Sequence, residues 1–177
     1  MTPNLRFLFS HPAHLIACGL GSGLSPIAPG TAGTLFAWLT YPLLRLVYPA
    51  DANFGLFLMF MAVFGTWCVH VTGKHLGEPD HGAIVWDEIV PFWAVLMFVP
   101  AAIIDSPHGH LFSVRGWTWQ TSAFVLFRLF DIVKPAPASY FDQHMKNGIG
   151  VMMDDIVAAA YAVLGLALSR QLTNYLS

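Results

Sequence analysis

This sequence is short of charge: Lys, Arg, Asp and Glu together make up 10% of its 177 residues, against roughly 25% in soluble domains. Its eight Lys plus Arg residues and formal net charge of -2 leave no clustered basic face, so nucleic acid is excluded as a partner. Cysteine is almost absent as well. Cys18 and Cys68 both lie in apolar surroundings, which excludes a disulfide framework and leaves two core thiols. The sequence also lacks the strict alternation of a membrane β-barrel, an internal repeat, a low-complexity tract and a linker, so residues 1–177 read as a single domain.

What remains is apolar. Hydrophobic residues are 56% of the chain and the mean hydropathy is +0.60, values that call for a lipid bilayer as a partner. Apolar stretches at about 33–50, 53–72, 86–104, 118–134 and 149–169 each approach or match a hydrocarbon layer of roughly 30 Å at about 1.5 Å per residue. A membrane interior demands internally satisfied backbones. The expectation is therefore an all-α, multi-pass helical membrane bundle of about five long apolar helices. Near the N-terminus, Arg6 followed by FLFSHPAHLIAC has the outline of a signal sequence. His11, Pro12 and His14 interrupt its apolar core, which favours a short N-terminal helix instead.

Arg6, Lys74, Lys134 and Lys146 fall beside one set of helix ends and Arg45, Arg115 and Arg170 beside the other, so the first set is assigned to the cytoplasmic side. Five crossings then bring residues 19–32, 73–86 and 134–149 to that face. Seven of the ten acidic residues sit at or near those ends: Asp80, Asp87, Glu88, Asp131, Asp142, Asp154 and Asp155. In HGAIVWDEIVPFW and GVMMDDIVAAAY, adjacent carboxylates are embedded in apolar sequence. Four such charges facing lipid would cost on the order of 10 kcal/mol uncompensated. A helix N-terminus favours an acid by only about 0.3–1 kcal/mol, so a shared cation is the better account of two doublets. Asp80, Asp87, Glu88, Asp154 and Asp155 are the candidate ligands, and an all-oxygen donor set suits Mg2+.

Opposite charge comes from FRLFDIVKPAP. At about 100° per residue, Arg128, Asp131 and Lys134 occupy an arc of roughly 120° on one helix and can face one pocket. Lys134-Pro135 ends that helix and puts the ammonium within reach of an anionic phospholipid headgroup. The segment GLGSGLSPIAPGTAGT, residues 19–34, offers closely spaced glycines and hydroxyls ahead of an apolar run. Gly21, Ser22, Gly23, Ser25, Gly30 and Thr31 are candidate phosphate-binding residues, and Thr34 adds a hydroxyl. The spacing is neither that of a P-loop nor that of a dinucleotide-binding turn. Carboxylates in a helical bundle also suit an ion or proton transporter, which would distribute them along the membrane depth.

GSGLSPIAPGTAGT, DHGAIVWDE, FRLFDIVKPAP and FDQHMKNGIGVMMDD, in that order, resemble the sequence blocks of the phosphatidylglycerophosphatase A family over nearly the whole chain. The resemblance implies a magnesium-dependent enzyme of the bacterial inner membrane that hydrolyses phosphatidylglycerophosphate, an anionic phospholipid, to phosphatidylglycerol and inorganic phosphate. Pro91, Ala136 and Asn147 depart from residues common in that family, and none of them is charged. In such an enzyme the acids would hold magnesium, Arg128 and Lys134 would clamp phosphate, and Asp131 would orient Arg128 or act as general base. Attack by water and a covalent aspartyl-phosphate are both open at this stage.

Overall fold

The computed structural model describes residues 3–99 and 114–176, apart from the side chains of residues 114, 115, 142 and 176. Among these residues every regular element is helical: α1 (Leu5–Ser10), α2 (Pro12–Ala17), a 3-10 turn (Gly19–Leu24), α3 (Pro29–Val47), α4 (Asp51–Leu76), α5 (Trp86–Met97), α6 (Val114–Val133), α7 (Ala138–His144) and α8 (Gly148–Leu176). The all-α expectation holds. The part of the third expected crossing beyond residue 99, and the side chains of Arg115 and Asp142, lie outside the described residues.

The expectation of about five membrane crossings is corrected. Two helices among the described residues have both the length and the apolarity to cross, Asp51–Leu76 with a mean hydropathy of 1.9 and Gly148–Tyr175 with 1.8. The others fall short for separate reasons. Helix α3 has 19 residues, but three threonines, two prolines and Arg45 dilute its apolarity. Helix α6 has 20 residues and carries Arg115, Arg128 and Asp131. Helix α5 has 12 residues, about 18 Å at 1.5 Å per residue.

The N-terminal region is also more articulated than one short helix. Asn4 caps α1, its side chain accepting from the Phe7 N–H at 3.0 Å. His11 ends α1 and caps α2, accepting from the Ala13 N–H at 3.1 Å, with Pro12 at the first helical position, where its missing N–H costs nothing. These caps break one apolar run into two short helices.

Helix α5 is the axis of the bundle, packed against α3, α4, α6 and α8. It is buried nearly all round, from Trp86, Ile89 and Val90 through Phe92, Trp93, Val95 and Leu96. Its tryptophans satisfy their N–H groups on neighbours: Trp86 donates to the Met61 carbonyl at 3.2 Å and Trp93 to the Ala37 carbonyl at 2.9 Å. Close approach is obtained by omitting side chains. A Cβ on Gly65 would lie 2.2 Å from the Trp86 ring, and one on Gly33 would lie 2.7 Å from Val85 Cβ. The Gly33–Val85 and Ala37–Trp93 contacts make α3 parallel to α5, so the N-terminal ends of both lie together.

Candidate active site

That shared end is where the polar residues meet. Gly30, in the first turn of α3, sits against Glu88, in the first turn of α5. A Cβ on Gly30 would fall 2.0 Å from Glu88 Oε1, so only glycine lets α3 approach the carboxylate this closely. One turn further along α3, Thr34 Oγ1 lies 3.0 Å from Glu88 Oε2 and 3.0 Å from the Gly30 carbonyl. Thr34 thus belongs to the site, although sequence reading counted it only as a spare hydroxyl. Its spacing of four residues from Gly30 puts it on the same helix face.

The C-terminal half of α6 supplies the cations. Arg128 Nη1 donates to Glu88 Oε2 and also lies 2.6 Å from Asp131 Oδ2. Both acids are about 12–13% exposed at the side chain and Arg128 is 17%. Lys134 follows the last residue of α6 and has φ of +45°, a left-handed conformation uncommon for a residue with a side chain. Its N–H closes the helix on the Phe130 carbonyl at 2.8 Å, and its ammonium reaches Asp154 Oδ2 at 2.6 Å. Two turns into α8, Asp154 and Asp155 are 4% exposed, as buried as Asp87 at 5%.

Electrostatic contact ties these groups together. Asp87 feels the charges of Glu88, Asp80 and Asp154, and Asp155 those of Asp131, Asp87, Glu88 and Asp154. Six carboxylates (Asp80, Asp87, Glu88, Asp131, Asp154, Asp155) thus share one end of the bundle with Arg128 and Lys134, an excess of four formal negative charges. Buried charge without a partner is costly. Two buried atoms here have no hydrogen-bond partner, Asp87 Oδ1 and Arg128 Nε. An unpaired acceptor and an unpaired donor of opposite charge are the groups that a cation and an anion would satisfy.

A magnesium site is only partly prepared. Among the described residues no three His, Cys, Asp or Glu side chains converge in a ready metal-binding arrangement. Glu88 and Asp154 oxygens are instead taken by Arg128 and Lys134. The donor chemistry nevertheless fits a hard ion, because the available ligands are carboxylate oxygens and Asp87 keeps one free.

The glycine segment is built differently from its sequence expectation. The N–H groups of Gly21 and Gly23 both donate to the Cys18 carbonyl, at 3.0 and 3.1 Å, and that of Ser25 to the Ser22 carbonyl at 3.2 Å. Ser22 Oγ donates to the Gly19 carbonyl and Ser25 Oγ to the Ile27 carbonyl, each at 2.8 Å. Gly21, Ser22, Gly23 and Ser25 thus spend these donors within the turn. Positive φ at Gly19, Leu20 and Gly21 tightens the turn into a brace under α5. The Ala17 carbonyl accepts from the Val85 N–H at 2.9 Å, and a Cβ on Gly23 would lie 2.1 Å from the Ala83 carbonyl. Gly30 and Thr31 are different. They precede Ala32, whose N–H makes the first helical bond, to Ala28 at 3.0 Å, so their own N–H groups have no partner within the helix, and Gly30 is the one packed against Glu88.

Asp80 and His81 lie on the connection from α4 to α5. Asp80 is in electrostatic contact with Asp87 and Glu88, whereas His81 Nδ1 accepts from the Ala83 N–H at 3.1 Å and caps its own turn. Among the described residues six acids, Asp80, Asp87, Glu88, Asp131, Asp154 and Asp155, collect at one end of the bundle, an arrangement unlike that expected of a transporter.

Comparison with known proteins gives the family. The family model for phosphatidylglycerophosphatase A matches residues 15–170. The chain is 40% identical over 153 residues to phosphatidylglycerophosphatase A of Escherichia coli (strain K12), covering 86% of this chain and 80% of the relative. It is 40% identical over 165 residues to phosphatidylglycerophosphatase A of Haemophilus influenzae, covering 92% and 91%. A protein of Bacteroides thetaiotaomicron named as a putative phosphatidylinositol-3-phosphatase is 37% identical over 160 residues, covering 88% and 92%. No solved structure matches.

Proposed function

The chain belongs to the phosphatidylglycerophosphatase A family, a phosphoric monoester hydrolase, and on that premise we propose that it hydrolyses phosphatidylglycerophosphate to phosphatidylglycerol and inorganic phosphate with the help of magnesium. The observation that carries the reading is the buried, unpartnered Asp87 Oδ1 inside a cluster with four more acids than bases. Asp87, Asp154 and Asp155, with Asp80 and Glu88 beside them, would hold the ion. Magnesium, when bound, lowers the pKa of a coordinated water and offsets charge on phosphoryl oxygens.

The chain's own residues do the remaining work. Arg128 directs its free Nε–H at a phosphoryl oxygen and Lys134, held on Asp154, brings an ammonium. Asp131, 2.6 Å from Arg128 Nη1, fixes the guanidinium plane and so acts as a positioning residue. The N–H groups of Gly30 and Thr31 complete the oxyanion shell. Water attacks phosphorus, the bond from phosphorus to the glycerol oxygen breaks, and that oxygen leaves with a proton.

A substrate held by acyl chains requires a bilayer. Support comes from outward apolar surfaces: only 28% of the most apolar window of α4 and 44% of that of α8 is buried in the bundle. Leu39 and Leu43 on α3, with Val125 and Ile132 on α6, are exposed as well. We place the chain in the bacterial inner membrane as a multi-pass protein with its site at the cytoplasmic face. The test is phosphate release from phosphatidylglycerophosphate in detergent micelles, with and without magnesium. Release that depends on the ion and vanishes in Asp87→Asn supports the proposal, and metal-independent release overturns it.

A further inference from the structure

The two membrane-length helices α4 and α8 meet outside the acid cluster, and a groove runs along their junction. Two cavities of about 330 Å³ each share His70, Asn147 and Gly148 as common wall. The outer one is lined by Lys74 and Lys146 and by no carboxylate. The inner one is lined by Val63, Trp67 and Ile149, which are 76%, 52% and 54% exposed. The floor is tight, since a Cβ on Gly148 would lie 2.5 Å from the Thr66 carbonyl.

The order of chemistry along this groove is informative. Lys74 lies in the last turn of α4 and Lys146 two residues before α8 begins. Both are exposed, and among the described residues neither makes an ion pair. From Lys74 to Val63 is about 16 Å along the helix, comparable to a headgroup followed by the upper part of an acyl chain. Two ammonium groups at a helix end with an apolar channel beneath match one amphipathic anion.

We propose that this groove holds an intact anionic phospholipid of the bilayer, its phosphate between Lys74 and Lys146 and one acyl chain along Val63, Trp67 and Ile149. The groove is lined by none of the clustered acids, and the proposal rests only on the bilayer part of the functional reading. Occupancy bridges the C-terminal end of α4 and the N-terminal end of α8, and the same α8 presents Asp154 and Asp155. Membrane composition therefore acts on the elements that carry the acids.

The test reconstitutes the full chain in phosphatidylcholine vesicles and adds a small fraction of phosphatidylserine brominated on its acyl chains, a lipid with no phosphomonoester to hydrolyse. Tryptophan quenching is compared with that by brominated phosphatidylcholine at equal fraction. The expected result is a preference for the anionic lipid on the order of tenfold, as two lysines near one headgroup supply. It should be lost in K74Q/K146Q, kept in K74R/K146R, and its quenched component absent from Trp67→Phe. Equal quenching by the two lipids, or a preference untouched by K74Q/K146Q, overturns the proposal. Because no turnover is measured, failure here leaves the phosphatase reading standing, and failure of phosphate release leaves this site standing.

Discussion

The bundle carries an arginine–carboxylate contact near each end, and the two could hardly be more different. At the turn between α3 and α4, Arg45 Nη2 lies 2.7 Å from Asp51 Oδ1, and Asp51 is 72% exposed. Arg45 also donates to the Pro49 carbonyl at 3.0 Å and lies over the Phe54 ring at 5.2 Å. This pair closes a connection. At the other end Arg128 meets Glu88 and Asp131, all three at most 17% exposed, within a crowd of further acids. Each arginine leaves one buried nitrogen unpaired, but among the described residues only the Arg128 end also holds a buried unpaired carboxylate oxygen, on Asp87 next to Glu88. One-to-one pairing marks structure. Surplus buried charge of one sign marks a place built for something else.

The sharpest way to break this contrast is to delete each arginine's role in turn. Arg128→Ala should lower phosphate release by two to three orders of magnitude, the effect of removing a preorganised donor from a developing oxyanion. A loss below tenfold would reduce Arg128 to a structural partner of Glu88. Gly30→Ala comes next. Its new Cβ would collide with Glu88 Oε1, so α3 or the carboxylate must shift, at a cost of about 1–3 kcal/mol in stability and with impaired turnover. Unchanged thermal unfolding together with full activity would show that the close approach is not needed.

A smaller effect concerns the N-terminal brace. His14 is buried on α2, its Nε2 lies 2.7 Å from His75 Nδ1, and its Nδ1 lies 2.9 Å from the Phe7 carbonyl and 3.1 Å from Ser10 Oγ. Burial holds its pKa below the ordinary 6.5, the Phe7 bond opposes that shift, and the nearby His75 and His11 add to it. The unfolded chain then binds a proton more readily than the folded one. Stability should be complete above about pH 6.5 and decline as pH falls below it. Denaturant unfolding across that range measures the slope, and stability that rises on acidification would contradict the burial argument. The smallest effect is expected at the other end. Asp51→Asn should change stability by no more than about 1 kcal/mol and leave phosphate release alone.

Most of the site could be read from sequence because its residues are anomalous where they stand. Asp87, Glu88, Asp154 and Asp155 interrupt apolar runs, and Arg128, Asp131 and Lys134 share one helix face, so charge in the wrong medium gave them away. The glycine segment is ambiguous for the opposite reason. Glycines and serines suit an anion site and a tight turn equally well, and only the hydrogen-bond directions show Gly21, Gly23, Ser22 and Ser25 bonded within the turn, while Gly30 packs against Glu88. Span counting also overreached. Apolar composition records burial within a bundle and exposure to lipid alike, so the buried α5 scored as a crossing although it has 12 residues. Asn147 has a local role: its side chain accepts from the N–H groups of Ile149 and Gly150, each at 3.0 Å, and starts α8.

The central claim is that carboxylates from separate helices work as one unit around a phosphoryl group. Phosphate release by Asp87→Asn on α5, Asp155→Asn on α8 and the double variant tests it most directly. The account predicts that each single change removes most of the activity and that the double variant loses little more than the worse single one, because parts of one constellation are not additive. Full activity in Asp155→Asn, or losses that multiply as for independent sites, would contradict it.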